Sequence, residues 1–232
     1  MFRQAHPELS KRGGSAMRTD RQLQKDVIEE LQWDSAIQAD HIGVEVRDGI
    51  VTLAGRVGSY AEKYAAERAA QRVAGVRGVA VELDVALPGD SHRTDADIAD
   101  AATRAIEWNA SIPKGRVKVM VEDGCVTLSG EVPWAFARTA AASCVRGLLG
   151  VKDVVNLVAI KSPVTVQDVK GKIEAALQRQ AHLHSKAVKV GVDRGTVTLS
   201  GEVGSLDERD AVEQAVWNAP GVQNVVDHLQ VH

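Results

Sequence analysis

The sequence predicts an α+β protein of three tandem αββαβ modules, each a small three-stranded mixed sheet with two helices on one face. Three observations lead there. First, GIVTLAGRV at Gly49 recurs as GCVTLSGEV at Gly124 and GTVTLSGEV at Gly195, offsets of 75 and 71 residues. Second, those offsets align 19–85, 94–160 and 165–231 without an internal gap, with thirteen positions identical in all three. Third, apolar spacing changes in the same order within every unit, from a four-residue to a two-residue period and back. The four-residue difference in offset falls wholly between units.

The first segment of each unit carries Leu23, Val27 and Leu31, then Ile98, Ala102 and Ile106, then Val169, Ile173 and Leu177. A spacing of four sets them on one face of a helix, opened by Thr19-Asp20 and Thr94-Asp95 as capping residues. Strict alternation follows in Ile42, Val44, Val46 and in Val117, Val119, Val121 and Val188, Val190, Val192, the mark of a half-buried strand. Asp48-Gly49 and Asp123-Gly124 then predict tight hairpin turns, and the third unit reads Arg194-Gly195. The returning strand turns Val51 and Leu53 inward and Thr52, with its counterparts Thr127 and Thr198, outward. That outward face either meets water or packs on a neighbouring unit.

A second helix turns small residues inward, Ala65, Ala66, Ala69 and Val73 against Ala140, Ala141, Cys144 and Leu148. It stops at Gly75, Gly150 or Gly221, the residue type that accepts the left-handed conformation past a helix end. The strands VAVELDV, VVNLVAI and VVDHLQV close the units. A right-handed crossover makes each closing strand parallel to the one before the helix. The expected organisation is a flexible tail at 1–18, modules at 19–85, 94–160 and 165–232, and linkers at 86–93 and 161–164.

The pattern G-x-V-T-L-x-G-x-V, then a helix, Gly-Val and V-x-x-x-L-x-V, resembles the BON domain of osmotically inducible and transport-associated proteins. It is carried by Gly49, Gly55 and Gly75, by Gly124, Gly130 and Gly150, and by Gly195, Gly201 and Gly221. The resemblance implies a module without catalytic residues, found in bacterial stress and envelope proteins, that attaches to phospholipid or to partner proteins. A cytosolic relative binds potassium.

Composition narrows the alternatives. With 44% hydrophobic and 25% charged residues and a net charge of -3, the chain reads as an ordinary globular protein. No run approaches a membrane span and the polar start carries no secretory signal, so the expected location is the cytoplasm, peripheral to a membrane if lipid is the ligand. No unit is basic, and Gly75-Val-Arg-Gly78 is explained by a left-handed turn at the Gly78 slot, so nucleic acid is not expected. No cofactor or metal is expected: His182 and His184 lack a third ligand. Cys144 fills a small core slot, and Cys125 lies on an outward strand face without a histidine or aspartate beside it. No carboxylate pair or Ser/His/Asp set recurs, and the chain is read as non-enzymatic.

Slots where the middle unit departs from its sisters supply the candidate contact residues. Trp134 stands where the others have Ser59 and Ser205, and Phe136 where they have Ala61 and Asp207. Either they pack on a neighbouring unit or they form an external contact surface; Trp217, in the slot of Gln71 and Arg146, poses the same choice. Trp33 and Trp108 are expected to cover the core edge. One slot is basic throughout: Lys63, Arg138 and Arg209. Glu67 and Glu213, four residues on, offer Lys63 and Arg209 i,i+4 partners, whereas Arg138 has only Ala142 and lies near Trp134 and Phe136. The expected function is a stress-associated binding protein engaging an anionic phospholipid surface or a protein partner through the middle unit. The alternative is a small-ligand or cation sensor.

Overall fold

A computed structural model describes residues 18–89, 92–161, 169–179, 188–193 and 195–231. The first module runs α1 (Asp20–Trp33), β1 (Ile42–Arg47), β2 (Ile50–Val57), α2 (Tyr60–Arg72) and β3 (Gly78–Val85). The second runs α3 (Asp95–Trp108), β4 (Val117–Glu122), β5 (Cys125–Val132), α4 (Ala135–Arg146) and β6 (Asp153–Ile160). The third runs α5 (Val169–Arg179), β7 (Lys189–Asp193), β8 (Thr196–Val203), α6 (Leu206–Trp217) and β9 (Asn224–Val231). Each module holds a three-stranded sheet in sequence order, its first pair antiparallel and its second parallel. The α+β reading and the order αββαβ therefore hold in all three.

Local chemistry sets the elements. Thr19 and Thr94 each close a capping box with the third helical residue, satisfying helix-end N–H groups. The residue after each cap holds the hairpin: Asp20 accepts from the N–H groups of Asp48 and Gly49 at 2.8 and 3.0 Å. Asp95 does the same for Asp123 and Gly124, both at 2.9 Å. Asp48 and Asp123 take positive φ with their glycines, as the tight turn requires; Arg194 lies outside the described residues. Gly75, Gly150 and Gly221 share φ near 90° just past the second helices. Gly78, Asp153 and Asn224 instead open their strands without positive φ, so strand geometry rather than a left-handed turn explains that slot.

Each module has its own core, centred on Leu31, Val51 and Leu53, on Ile98, Val126 and Leu128, and on Ile173, Val197 and Leu199. The inner stripe of the second helix is rotated from the expected one. Ala66, Ala69, Val73 and Ala141 are buried, but Ala65, Ala140, Cys144 and Leu148 are only half-buried, and Ala70, Val145 and Val216 are fully enclosed instead. Thr52, Thr127 and Thr198 are half-buried on the sheet face away from the helices.

The modules meet through α2. Arg68 pairs with Asp207 and, at 2.5 Å, with Asp210 on α6. The Gly75 N–H donates to the Gly204 carbonyl at 3.4 Å, and Leu206 packs on the first core. Toward the middle module, Tyr60 packs on its core and the Arg146 guanidinium lies 3.4 Å over the Tyr64 ring.

At this junction burial raises the Glu67 carboxyl above its ordinary range, Arg68 and Lys63 oppose it, and Asp210 and Asp153 add to it. A raised folded value means that the folded state holds the proton more tightly than the unfolded chain, so Glu67 favours folding at low pH and loses that contribution as pH rises. Glu67→Gln is therefore expected to raise the melting temperature at pH 7. The gain should fade as pH falls toward the ordinary glutamate range, about 4, when melting is followed by circular dichroism across pH.

Candidate functional site

Register and helix length bring distant residues of the middle module to one pole. Its opposite pole is the β4–β5 hairpin, to which Asp95 ties the start of α3. Fourteen residues of helix span about 21 Å, which carries Trp108 to the far end. There β4 begins, with Val117 beside Gly130 and Lys118 beside Ser129, which in turn neighbours Leu157 of β6. β5 also ends there, and Pro133 leads into the first turn of α4 with Phe136. Trp108 is 88% exposed, Leu157 64% and Phe136 53%. Trp108 shares a hollow of about 650 Å³ with Ile112, Pro113 and Lys114. Lys114, Arg116 and Lys118 are exposed at this pole, while Glu131 is paired to Lys161 at 3.4 Å. This end of the module thus shows Trp108 and Phe136 with three exposed cations and Glu107 nearby, while Leu157 lies on the sheet face away from the helices.

The sister modules fill several of these slots with other chemistry, although Trp33 repeats the exposed Trp108 and Lys189 repeats Lys118. Phe136 and Leu157 correspond to Ala61 and Glu82 in the first module and to Asp207 and His228 in the third. Lys114, Arg116 and Lys118 correspond to Ala39, His41 and Gly43 in the first. The helix start differs too. Ser59 and Ser205 cap α2 and α6 by accepting from Glu62 and Glu208 N–H groups, while Trp134 at the α4 cap makes no such bond. That omission costs about 1 kcal/mol relative to a serine cap. Glu62 accepts from the Gly58 and Gln38 N–H groups, both at 2.8 Å, and Glu208 from Gly204 at 2.7 Å. The middle module has Pro133, which lacks an N–H, in the glycine slot and buried Ala137 in the glutamate slot.

The candidate residues divide between two places. Phe136 is exposed at the pole, and Trp134 is half-buried beside it as the helix cap. Arg138 and Trp217 instead line one groove, of about 480 Å³, where α2, α4 and α6 meet. Positions i and i+2 on a helix point to nearly opposite sides, which parts Arg138 from Phe136. Trp217 packs on the third core and donates from Nε1 to Glu213 at 3.1 Å.

Two expectations are corrected. Trp33 and Trp108 do not cover the core edge: they are 85% and 88% exposed, because a residue two beyond Leu31 or Ile106 sits about 200° round the helix from the apolar stripe. The basic slot is not explained by i,i+4 pairing. Lys63 reaches Asp153 of the middle module at 3.8 Å, and Arg209 pairs with Asp227 at 2.5 Å. Cys125, expected to have no aspartate beside it, is half-buried opposite Asp153 in the sheet register, and burial, then Asp153 and Glu122, push its thiol above the ordinary range, which disfavours the reactive thiolate. His182 and His184 lie outside the described residues. Among the described residues no three metal-ligating side chains cluster and no helix is long and apolar enough to cross a membrane.

The missed signals were Trp108 with Lys114, which share one hollow, and Leu157, which the sheet register sets beside Ser129 and Lys118 on the face away from the helices.

Comparison with known proteins gives one specific result: the BON domain matches residues 19–86, 94–162 and 165–232. No curated protein matches the chain. Among solved structures, the C-terminal domain of CdsD, a structural protein of the type III secretion system of Chlamydia trachomatis, is similar at 15% identity, covering 90% of this chain and 96% of that one with a TM-score of 0.26. The PrgH periplasmic domain is similar at 12% identity, covering 83% and 95%, with a TM-score of 0.22. Likeness at this level supports no functional statement.

Proposed function

The chain belongs to the BON domain family, and on that premise we propose that it is a non-enzymatic, stress-associated binding protein whose middle module docks on an anionic phospholipid surface. The observation that carries this reading is the end of the middle module where Trp108 closes α3 and Phe136 opens α4, both exposed, with Lys114, Arg116 and Lys118 exposed on the segment that follows Trp108. Leu157 is exposed beside Lys118 and Ser129 on the sheet face away from the helices. Exposing a tryptophan wastes much of the apolar area it brings. Indole suits the boundary of a bilayer, where its ring is buried and its N–H stays wet. The basic rim adds attraction of about 1 kcal/mol per cation near an anionic leaflet. Exposed aromatics with lysine and arginine nearby therefore favour lipid over a protein partner.

Co-sedimentation with vesicles of phosphatidylglycerol and phosphatidylcholine tests it. The protein is expected to pellet at low salt and to be released as salt rises, because the basic rim is screened. Trp108→Ser removes an exposed side chain, so its melting temperature should stay unchanged while vesicle affinity falls about ten-fold or more. A wild-type protein that remains in the supernatant with these vesicles at low salt contradicts the lipid reading.

A further inference from the structure

We propose that the groove between α2, α4 and α6 is a second binding site, separate from the docking pole, for a small dianionic phosphate monoester held by Arg138 and Arg146. The argument is a comparison of one helix stripe across three copies. At the slots equivalent to those that α4 turns to this groove, the first module has Lys63, Glu67 and Gln71, and the third has Arg209, Glu213 and Trp217. The middle module has Arg138, Ala142 and Arg146. It has thus lost the carboxylate between its cations and gained a second arginine. A further acid is lost on the adjoining strand: Asp227, which pairs with Arg209, is replaced by Asn156. Asn156 keeps a structural bond, donating from Nδ2 to the Arg138 carbonyl at 3.0 Å, but supplies no charge.

Two of the three carboxylates lining the groove are already neutralised, and Glu213 keeps its charge there. Asp207 and Asp210 hold Arg68, and Glu213 accepts from Trp217 Nε1. Among the described residues neither Arg138 nor Arg146 pairs with a carboxylate, although the equivalent Arg209 does and Lys63 finds Asp153. Two guanidinium groups then face a groove of about 480 Å³, large enough for a small organic phosphate. Arg146 is steadied over the Tyr64 ring of the first module, and Trp217 of the third supplies an apolar wall for the organic part. The guanidinium fork matches phosphate oxygens in geometry, and two forks match the dianion in charge. All three modules build the site, which gives the tandem arrangement a role.

The ligand has two sources, a soluble phosphate ester or the monoester headgroup of phosphatidic acid, and the test separates them. Titrating the intact protein with glycerol phosphate, followed by melting temperature and calorimetry, is expected to show saturable stabilisation. Arg138→Gln and Arg146→Gln should each weaken it about ten-fold, while Arg209→Gln, whose arginine is already paired, should not. Binding only to phosphatidic acid vesicles, with loss in both arginine variants and retention in Trp108→Ser, assigns the site to the headgroup. Absence of both forms of binding overturns the proposal. So does binding that survives both substitutions, or a fall in unliganded stability in the arginine variants with no ligand effect, which would mark the arginines as balance for α6.

Discussion

Gly130→Ala is expected to cost the middle module at least about 3 kcal/mol and to leave it unfolded. Gly130 holds φ 127°, and a Cβ there would lie 2.0 Å from the Arg116 carbonyl oxygen. That oxygen belongs to backbone at the entry to β4, beside the pairing of Val117 with Gly130, so it has no flexible end to swing aside. Gly55 meets the His41 carbonyl at 2.1 Å in the same way, which makes the close approach a property of the fold. Gly147→Ala is the matched control: its added Cβ meets nothing within 4 Å, so stability should change by less than about 0.5 kcal/mol. Urea unfolding of the two variants measures the contrast. A module near 67 residues has little stability to spare, so the first variant should lose its share of the helical signal without denaturant.

The second large effect separates fold from function within one sheet. Leu128 and Leu157 lie on neighbouring strands of the middle module with opposite surroundings, Leu128 fully buried and Leu157 64% exposed. Leu128→Ala removes core volume that its neighbours cannot refill and should cost about 2–5 kcal/mol. Leu157→Glu installs the residue that the first module carries at the same slot, Glu82, and should leave stability unchanged. Vesicle binding should respond in reverse: Leu157→Glu weakens it without any unfolding, because a carboxylate set beside Lys118 offsets its charge and is repelled by an anionic surface. Calorimetry and co-sedimentation on the same samples read both halves.

How far the sequence disclosed this protein follows from the range of each interaction. Short-range patterns were legible: Leu23, Val27 and Leu31 announce a helix by spacing, Asp48-Gly49 a turn by φ, and Gly55 recurs because its backbone neighbour recurs. The three copies made those signals unambiguous. Interactions between modules were not legible, because no local pattern says that Lys63 reaches Asp153 or that Arg68 bridges to α6. Trp33 and Trp108 misled because they follow the apolar stripe in sequence while lying round the helix from it. Phe136 was readable as an outlier, but the place of Leu157, beside Ser129 and Lys118 on the face away from the helices, needed the pairing of β4, β5 and β6. Arg138 was grouped with Phe136 by nearness in sequence, and the helix sends it to the groove instead.

The claim beneath these arguments is that the middle module has been specialised at the slots of Phe136 and Leu157, where its sisters carry Ala61 and Asp207, and Glu82 and His228. Its most direct test is quantitative binding to phosphatidylglycerol vesicles by a chain carrying Phe136→Ala and Leu157→Glu together, the residues of the first module at those slots. The predicted result is a wild-type melting curve with at least about ten-fold weaker binding. Unchanged binding by a folded double variant would contradict the account.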